Sequence, residues 1–175
     1  MTRICTGFSP SARQARLMIV LLSVLCGGVA QVNAYDWSAP LESSTGASLS
    51  FDDFAGRTTL LSFFFTRCQG ACPQQARLLA RVQRELTDEV KMRTAILSIS
   101  LDPKHDTPAA MRTFAEAHGA DTRHWTFARI TGPDTLQRLL DQVSVKVGAS
   151  DVRGQIDHRM TLLLVGPTAW WPSAT

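Results

Sequence analysis

Thr58-Thr59-Leu60-Leu61-Ser62-Phe63-Phe64-Phe65-Thr66-Arg67-Cys68-Gln69-Gly70-Ala71-Cys72-Pro73 is the stretch on which the fold turns. From Thr58 to Thr66 it is almost continuously apolar and aromatic, the pattern of a central strand buried on both faces. Pro73 then opens a helical segment to about Glu89. Ala76, Leu79, Ala80, Gln83 and Leu86 lie along one stripe of it, and Arg77, Arg81 and Arg84 along another. Cys68 and Cys72 therefore sit at a strand-to-helix junction.

Downstream, a second strand is expected at about Arg93–Ser100, followed by the polar loop Leu101-Asp102-Pro103-Lys104-His105-Asp106. Thr107 can cap the next helix, with Pro108 at its first position and Gly119 just past its end. Trp125–Ile130 reads as a third strand, Pro133–Val143 as a third helix and Met160–Val165 as a fourth strand. This alternation predicts an α/β sandwich with parallel strands at its heart. Upstream, residues 35–50 are rich in Ser, Thr, Gly and Ala and read as a flexible lead-in, so the domain is expected over 51–175.

Residues 1–34 read as an address. Arg3, Arg13 and Arg16 precede a 14-residue apolar run, Leu17–Ala30, broken only by Ser23, and Val32-Asn33-Ala34 offers a cleavage site. The run falls short of the roughly 18 to 20 apolar residues that span a bilayer, so a signal peptide is expected in preference to a retained N-terminal anchor. Cys26 is no lipidation site, because Leu25 is too bulky for the residue before it. Export to the periplasm or the outer face of the inner membrane is therefore expected. The mitochondrial intermembrane space is the alternative, and membrane association would run through this segment.

All 15 acidic residues lie beyond Ala34, while three of the 18 Lys and Arg precede it, so the mature chain is neutral, 15 against 15. With no basic cluster interleaved with aromatics, no nucleic-acid partner is expected. Of four cysteines, Cys5 and Cys26 leave with the leader. The remaining pair, in an oxidising compartment, must form a disulfide, be held reduced by a partner, or hold a metal.

A thiolate at a helix start is stabilised by unpaired N–H groups and the helix dipole, which predicts lowered thiol pKa values. Residues four apart bring both sulfurs to one side of a turn. Thioredoxin-type redox motifs space their cysteines by two residues, and here there are three. Zinc usually takes four ligands. Cu(I) accepts two or three soft ligands, and an imidazole added to two thiolates also supports Cu(II). Among His105, His118, His124 and His158, only His158 is well placed. It stands in a polar loop two residues before the strand from Met160, and in a thioredoxin fold the start of that strand lies beside the cysteine loop. His118, at a helix end, has a solvent-facing role by default.

These residues resemble the Sco/SenC copper proteins of cytochrome oxidase assembly. Phe63-Phe64-Phe65-Thr66-Arg67-Cys68-x-x-x-Cys72-Pro73 is similar to that family's metal-binding turn, and Ser100-Leu101-Asp102-Pro103-x-x-Asp106-Thr107-Pro108 to its second hallmark. Trp125-Thr126-Phe127 with Thr131-Gly132, then Asp157-His158 before an apolar strand, continue the match in order, so that it covers roughly Phe51 to Val165. The resemblance implies a thioredoxin-like three-layer sandwich with a central mixed sheet. It also implies copper ligation by Cys68, Cys72 and His158, dithiol–disulfide cycling of the two cysteines, and support from Asp102. Its implied partners are a copper-receiving oxidase subunit or another copper chaperone, and a thiol reductant. Two departures stand out. Gln69 occupies a position where many members place proline or another residue. Beyond Val165, where members usually continue into a further strand and a C-terminal helix, Gly166-Pro167 leads only to Thr168–Thr175. The helix is expected to be missing, with an apolar sheet face exposed or covered by Trp170 and Trp171.

Two other readings of the residues remain open. A thiol–disulfide oxidoreductase would explain the cysteine pair at a helix start, although Met160 stands where such reductases carry a cis-proline. An interaction domain would make the pair a static disulfide and the Trp170-Trp171 tail a partner contact. A peroxidase is disfavoured, for the pair lacks the Thr-x-x-Cys turn.

Overall fold

The computed structural model describes residues 37–151 and 154–168. The leader and the tail carrying Trp170 and Trp171 lie outside the described residues, as does the expected absence of a C-terminal helix beyond Thr168. Strands β1 (Leu41–Ser43), β2 (Ser48–Leu49), β3 (Thr58–Phe64), β4 (Thr94–Ser100), β5 (Trp125–Arg129) and β8 (Leu162–Val165) form one sheet in the order β2-β1-β5-β4-β3-β8. β6 (Val147–Ser150) and β7 (Ile156–His158) form a separate two-stranded hairpin. The helices are α1 (Ala71–Glu85), α2 (Asp88–Arg93), α3 (Pro108–Ala117) and α4 (Pro133–Gln142).

β3, β4 and β5 run parallel at the centre, while β8 joins β3 and β1 joins β5 antiparallel. The sheet is therefore mixed. Strand alternation sorts the core onto its two faces. Leu61, Phe63, Leu97, Ile99, Ala128 and Ile130 point to the side covered by α4, Phe51 and Trp37. Phe64, Ile96, Trp125 and Phe127 point to the side covered by α1 and α3 through Leu79, Met111 and Phe114. The result is three layers, the thioredoxin-like arrangement expected. On the α1 side Trp125 Nε1 donates to Ser98 Oγ (2.9 Å), and Ser98 Oγ also meets Ser62 Oγ (2.6 Å). Buried hydroxyls are thus paired across three strands.

Several boundaries differ from the sequence reading, each for a local reason. The expected lead-in supplies β1 and β2 instead. Trp37, Ala39 and Leu41 are buried while Ser38 and Pro40 are exposed, a period of two that short polar residues obscure. The helix expected to about Glu89 stops at Leu86, whose backbone is extended. Thr87 starts a new helix there, its hydroxyl accepting from Val90 N–H (3.4 Å), with Asp88 and Glu89 in the first turn and Arg93 in the last. The last strand begins at Leu162 rather than Met160. His158, expected in a polar loop, ends β7, opposite Val147. α3 follows expectation: Thr107 Oγ1 accepts from Ala110 N–H (3.2 Å), Pro108 opens the helix, and Gly119 takes a φ of 72° just past its end.

Candidate metal centre

β3 delivers the chain to the site, and a buried carboxylate fixes how it leaves the sheet. Thr66 donates to Asp106 Oδ1 from its backbone N–H (3.0 Å) and its hydroxyl (2.6 Å), while Ser100 Oγ donates to Asp106 Oδ2 (2.5 Å). Asp106 is fully buried, and burial pushes its carboxyl above the ordinary value despite those donors. It ties the cysteine turn to the loop after β4. Cys68 N–H then donates to Phe65 O (3.2 Å), closing a turn, and α1 begins at Ala71.

Cys68 is half-buried just ahead of the helix, and Cys72 is buried in its first turn. The Cys72 N–H, among those a helix start leaves without an intrahelical partner, points at Cys68 Sγ (3.4 Å). From the hairpin, His158 brings Nε2 to 3.6 Å from Cys72 Sγ, its ring edge-on to Phe65 at 5.8 Å between centroids. His158 Nδ1 lies 3.2 Å from Arg159 O. The tautomer consistent with that contact carries its proton on Nδ1 and leaves the Nε2 lone pair facing the sulfur.

Both thiols were expected to be acidified by the helix start; for Cys72 burial overrides the dipole. Removal from water, reinforced by the adjacent Cys68, pushes its thiol up to about 12. Such a thiol ionises readily only when a cation takes the proton's place, and two thiols with an imidazole are donors for a soft cation. Among the described residues no three His, Cys, Asp or Glu side chains stand closed up as a metal-ligand group. The donors approach in pairs, through Cys72. A metal would have to draw them together.

Asp102 reaches the site indirectly. Its carboxylate accepts from Arg67 Nη2 (2.6 Å) and meets His105 Nδ1 (2.8 Å), and Arg67 is the residue before Cys68. Partial burial pushes the carboxyl up, but His105 and Arg67 outweigh it and hold the group below its ordinary value. The sequence signals for His105 and Arg67 are weak, a basic residue beside a cysteine and the Asp102-x-x-His105 spacing. His118 sits apart, its Nδ1 on Phe114 O (2.7 Å) and its ring 4.3 Å from that of Phe114. On the hairpin side an open groove of about 660 Å³, lined by Lys146, Gly148, Asp157, His158 and Arg159, reaches His158.

The SCO1/SenC family model matches residues 35–171. The chain is 25% identical over 158 residues to the SCO1 protein homolog of Bacillus subtilis, covering 86% of this chain and 79% of that protein. Bradyrhizobium japonicum ScoI, solved with copper bound, superposes with a TM-score of 0.65 at 21% identity, over 77% of this chain and 85% of that one. A SCO1/SenC family lipoprotein from Bacillus anthracis superposes with a TM-score of 0.68 at 21% identity, over 80% and 83%. At these identities the superpositions speak for the fold, and the family pattern spans the described domain from its first strand to its last. On that match the chain belongs to the SCO1/SenC family.

Proposed function

We propose that this protein is an exported copper carrier that binds copper through Cys68, Cys72 and His158 and hands it on during assembly of a cytochrome c oxidase copper centre. The observation that carries the reading is the 3.6 Å approach of His158 Nε2 to Cys72 Sγ across 86 positions of sequence. Copper bound in the Bradyrhizobium japonicum relative supports it. Copper is cargo here, so a site that closes around the ion and opens again suits the role better than a rigid cage. The cation replaces the Cys72 proton that burial otherwise retains, and imidazole completes a set suited to Cu(I) and Cu(II). Asp102 holds Arg67 beside Cys68 and so supports the turn. The same cysteines pass two electrons and two protons to or from a thiol–disulfide partner when they cycle between dithiol and disulfide. Residues 1–34 direct export to the periplasm or the outer face of the inner membrane, and the receiving partner is an oxidase subunit or another copper chaperone.

Copper per chain and the Cu(II) spectrum of wild type, His158→Ala and Cys68→Ser/Cys72→Ser test this. We expect about one copper in wild type, an altered spectrum with weakened binding in His158→Ala, and none in the double variant. An unchanged His158→Ala spectrum would remove the histidine from the site. Rapid insulin reduction by copper-free protein would favour a general oxidoreductase.

A further inference from the structure

β7, which carries His158, belongs to a hairpin that shares no ladder with the six-stranded sheet. Its placement beside the cysteines therefore draws on side-chain contacts as well as on the short link to β8. Three residues before His158, Gln155 uses both ends of its carboxamide on the cysteine turn: Nε2 donates to Arg67 O (3.0 Å), and Oε1 accepts from Gln69 N–H (3.2 Å). These two groups flank Cys68. A carboxylate lacks the donor, an ammonium lacks the acceptor, and asparagine is one methylene shorter.

Gln155 is itself pinned. Its N–H donates to Asp151 Oδ1 (2.8 Å), Asp151 N–H donates to Gln155 O (2.9 Å), and Gly154 N–H donates to Asp151 O (2.9 Å). Gly154 has a φ of 74°, and a Cβ there would stand 2.8 Å from Arg67 Nη1. The turn therefore presses against the guanidinium that Asp102 holds. Ile156, the next residue, packs against both faces of the core.

We propose that Gln155 is a positioning residue that clasps the peptide groups on either side of Cys68 and so sets where His158 stands relative to the cysteine pair. The inference rests on the copper reading above and assigns this site a further determinant on the hairpin. It predicts that the clasp holds the metal-free turn ready for the ion and that its loss loosens the imidazole more than the thiolates.

The test compares wild type, Gln155→Ala and Gln155→Glu, with Cu(II) as probe. In metal-free protein, Gln69 amide exchange should rise about tenfold in Gln155→Ala, the loss of roughly one hydrogen bond. In copper-loaded protein, affinity should fall about tenfold with one copper retained, and the imidazole nitrogen hyperfine coupling should weaken. Gln155→Glu, which keeps the acceptor for Gln69 but sets a carboxylate against Arg67 O, should fall between the two, and it carries the comparison if Gln155→Ala fails to fold. A nitrogen signature and copper affinity that both variants leave at wild-type values overturn the clasp, even if Gln69 exchange rises, because the contact then steadies a turn and positions nothing. A wild type that lacks any imidazole signature sinks the copper–histidine reading itself, a distinct failure.

Discussion

Cys68 and Cys72 stand four residues apart, yet burial makes them unlike: Cys68 is half-buried, while the Cys72 thiol is enclosed and pushed up to about 12. Near pH 8 the raised Cys72 thiol stays protonated and enclosed, so metal-free protein should be alkylated at Cys68 at least about tenfold faster than at Cys72, as mass-spectrometric mapping will show. Asp106 makes the buried counterpart in oxygen chemistry. Asp106→Ala strips the partners from Thr66 and Ser100 and should cost about 2 to 4 kcal/mol by urea unfolding. Asp102 is different, because Arg67 and His105 keep considerable exposure and water screens the cluster. Its folded pKa lies below the ordinary 3.8, so its contribution is present above that value and is lost as pH falls through the lower folded one. The stability gap between wild type and Asp102→Asn should be about 0.5 to 1 kcal/mol near pH 7 and should shrink as pH falls below the ordinary 3.8. Asp106, raised by burial, works in the opposite sense: its pH-linked part favours the fold fully below 3.8 and is lost as pH rises through its higher folded value, while the hydrogen bonds to Thr66 and Ser100 remain.

The hairpin is the element on which the site depends. Gly154 and Gly46 both take positive φ, 74° and 84°, but a Cβ at Gly46 meets nothing within 4 Å, whereas one at Gly154 meets Arg67. Substitution by alanine should cost each about 1 to 2 kcal/mol for the left-handed backbone. Only Gly154→Ala should also displace Arg67. In a double-mutant cycle with Asp102→Asn, Gly154→Ala should be non-additive by at least about 0.5 kcal/mol, while Gly46→Ala should be additive. Helix α1 carries the opposite wall. Leu79, 2% exposed, belongs to the same cluster as Cys72 and Phe65, and Leu79→Ala should cost about 2 to 5 kcal/mol in a thermal melt.

At the scale of the molecule, among the described residues the sheet ends on β8, whose Leu162 and Leu164 are 43% and 76% exposed. Edge strands with apolar faces invite pairing, so Leu164→Lys should lower self-association on heating, seen by light scattering, with stability changed by no more than about 0.5 kcal/mol. The chain by itself determined much of this layout. The apolar run before Cys68, the Thr107-Pro108 helix start and the alternation of strand and helix patterns are local signals, and each produced its element because propensity and burial agreed there. It also determined which donors are present, two thiols and one well-placed imidazole. The sequence concealed β1 and β2, whose alternation is written in small polar residues, and the hairpin β6–β7, which is held to the distant cysteine turn through Gln155. Tertiary structure alone decided the rest. It buried Cys72 enough to reverse the expected effect of the helix start, sent Asp102 to Arg67 rather than to the cysteines, and set Gln155 astride Cys68. Burial and long-range pairing are properties of the packed chain, and groups 35 to 88 positions apart acquire a shared chemistry only when folding removes the water between them.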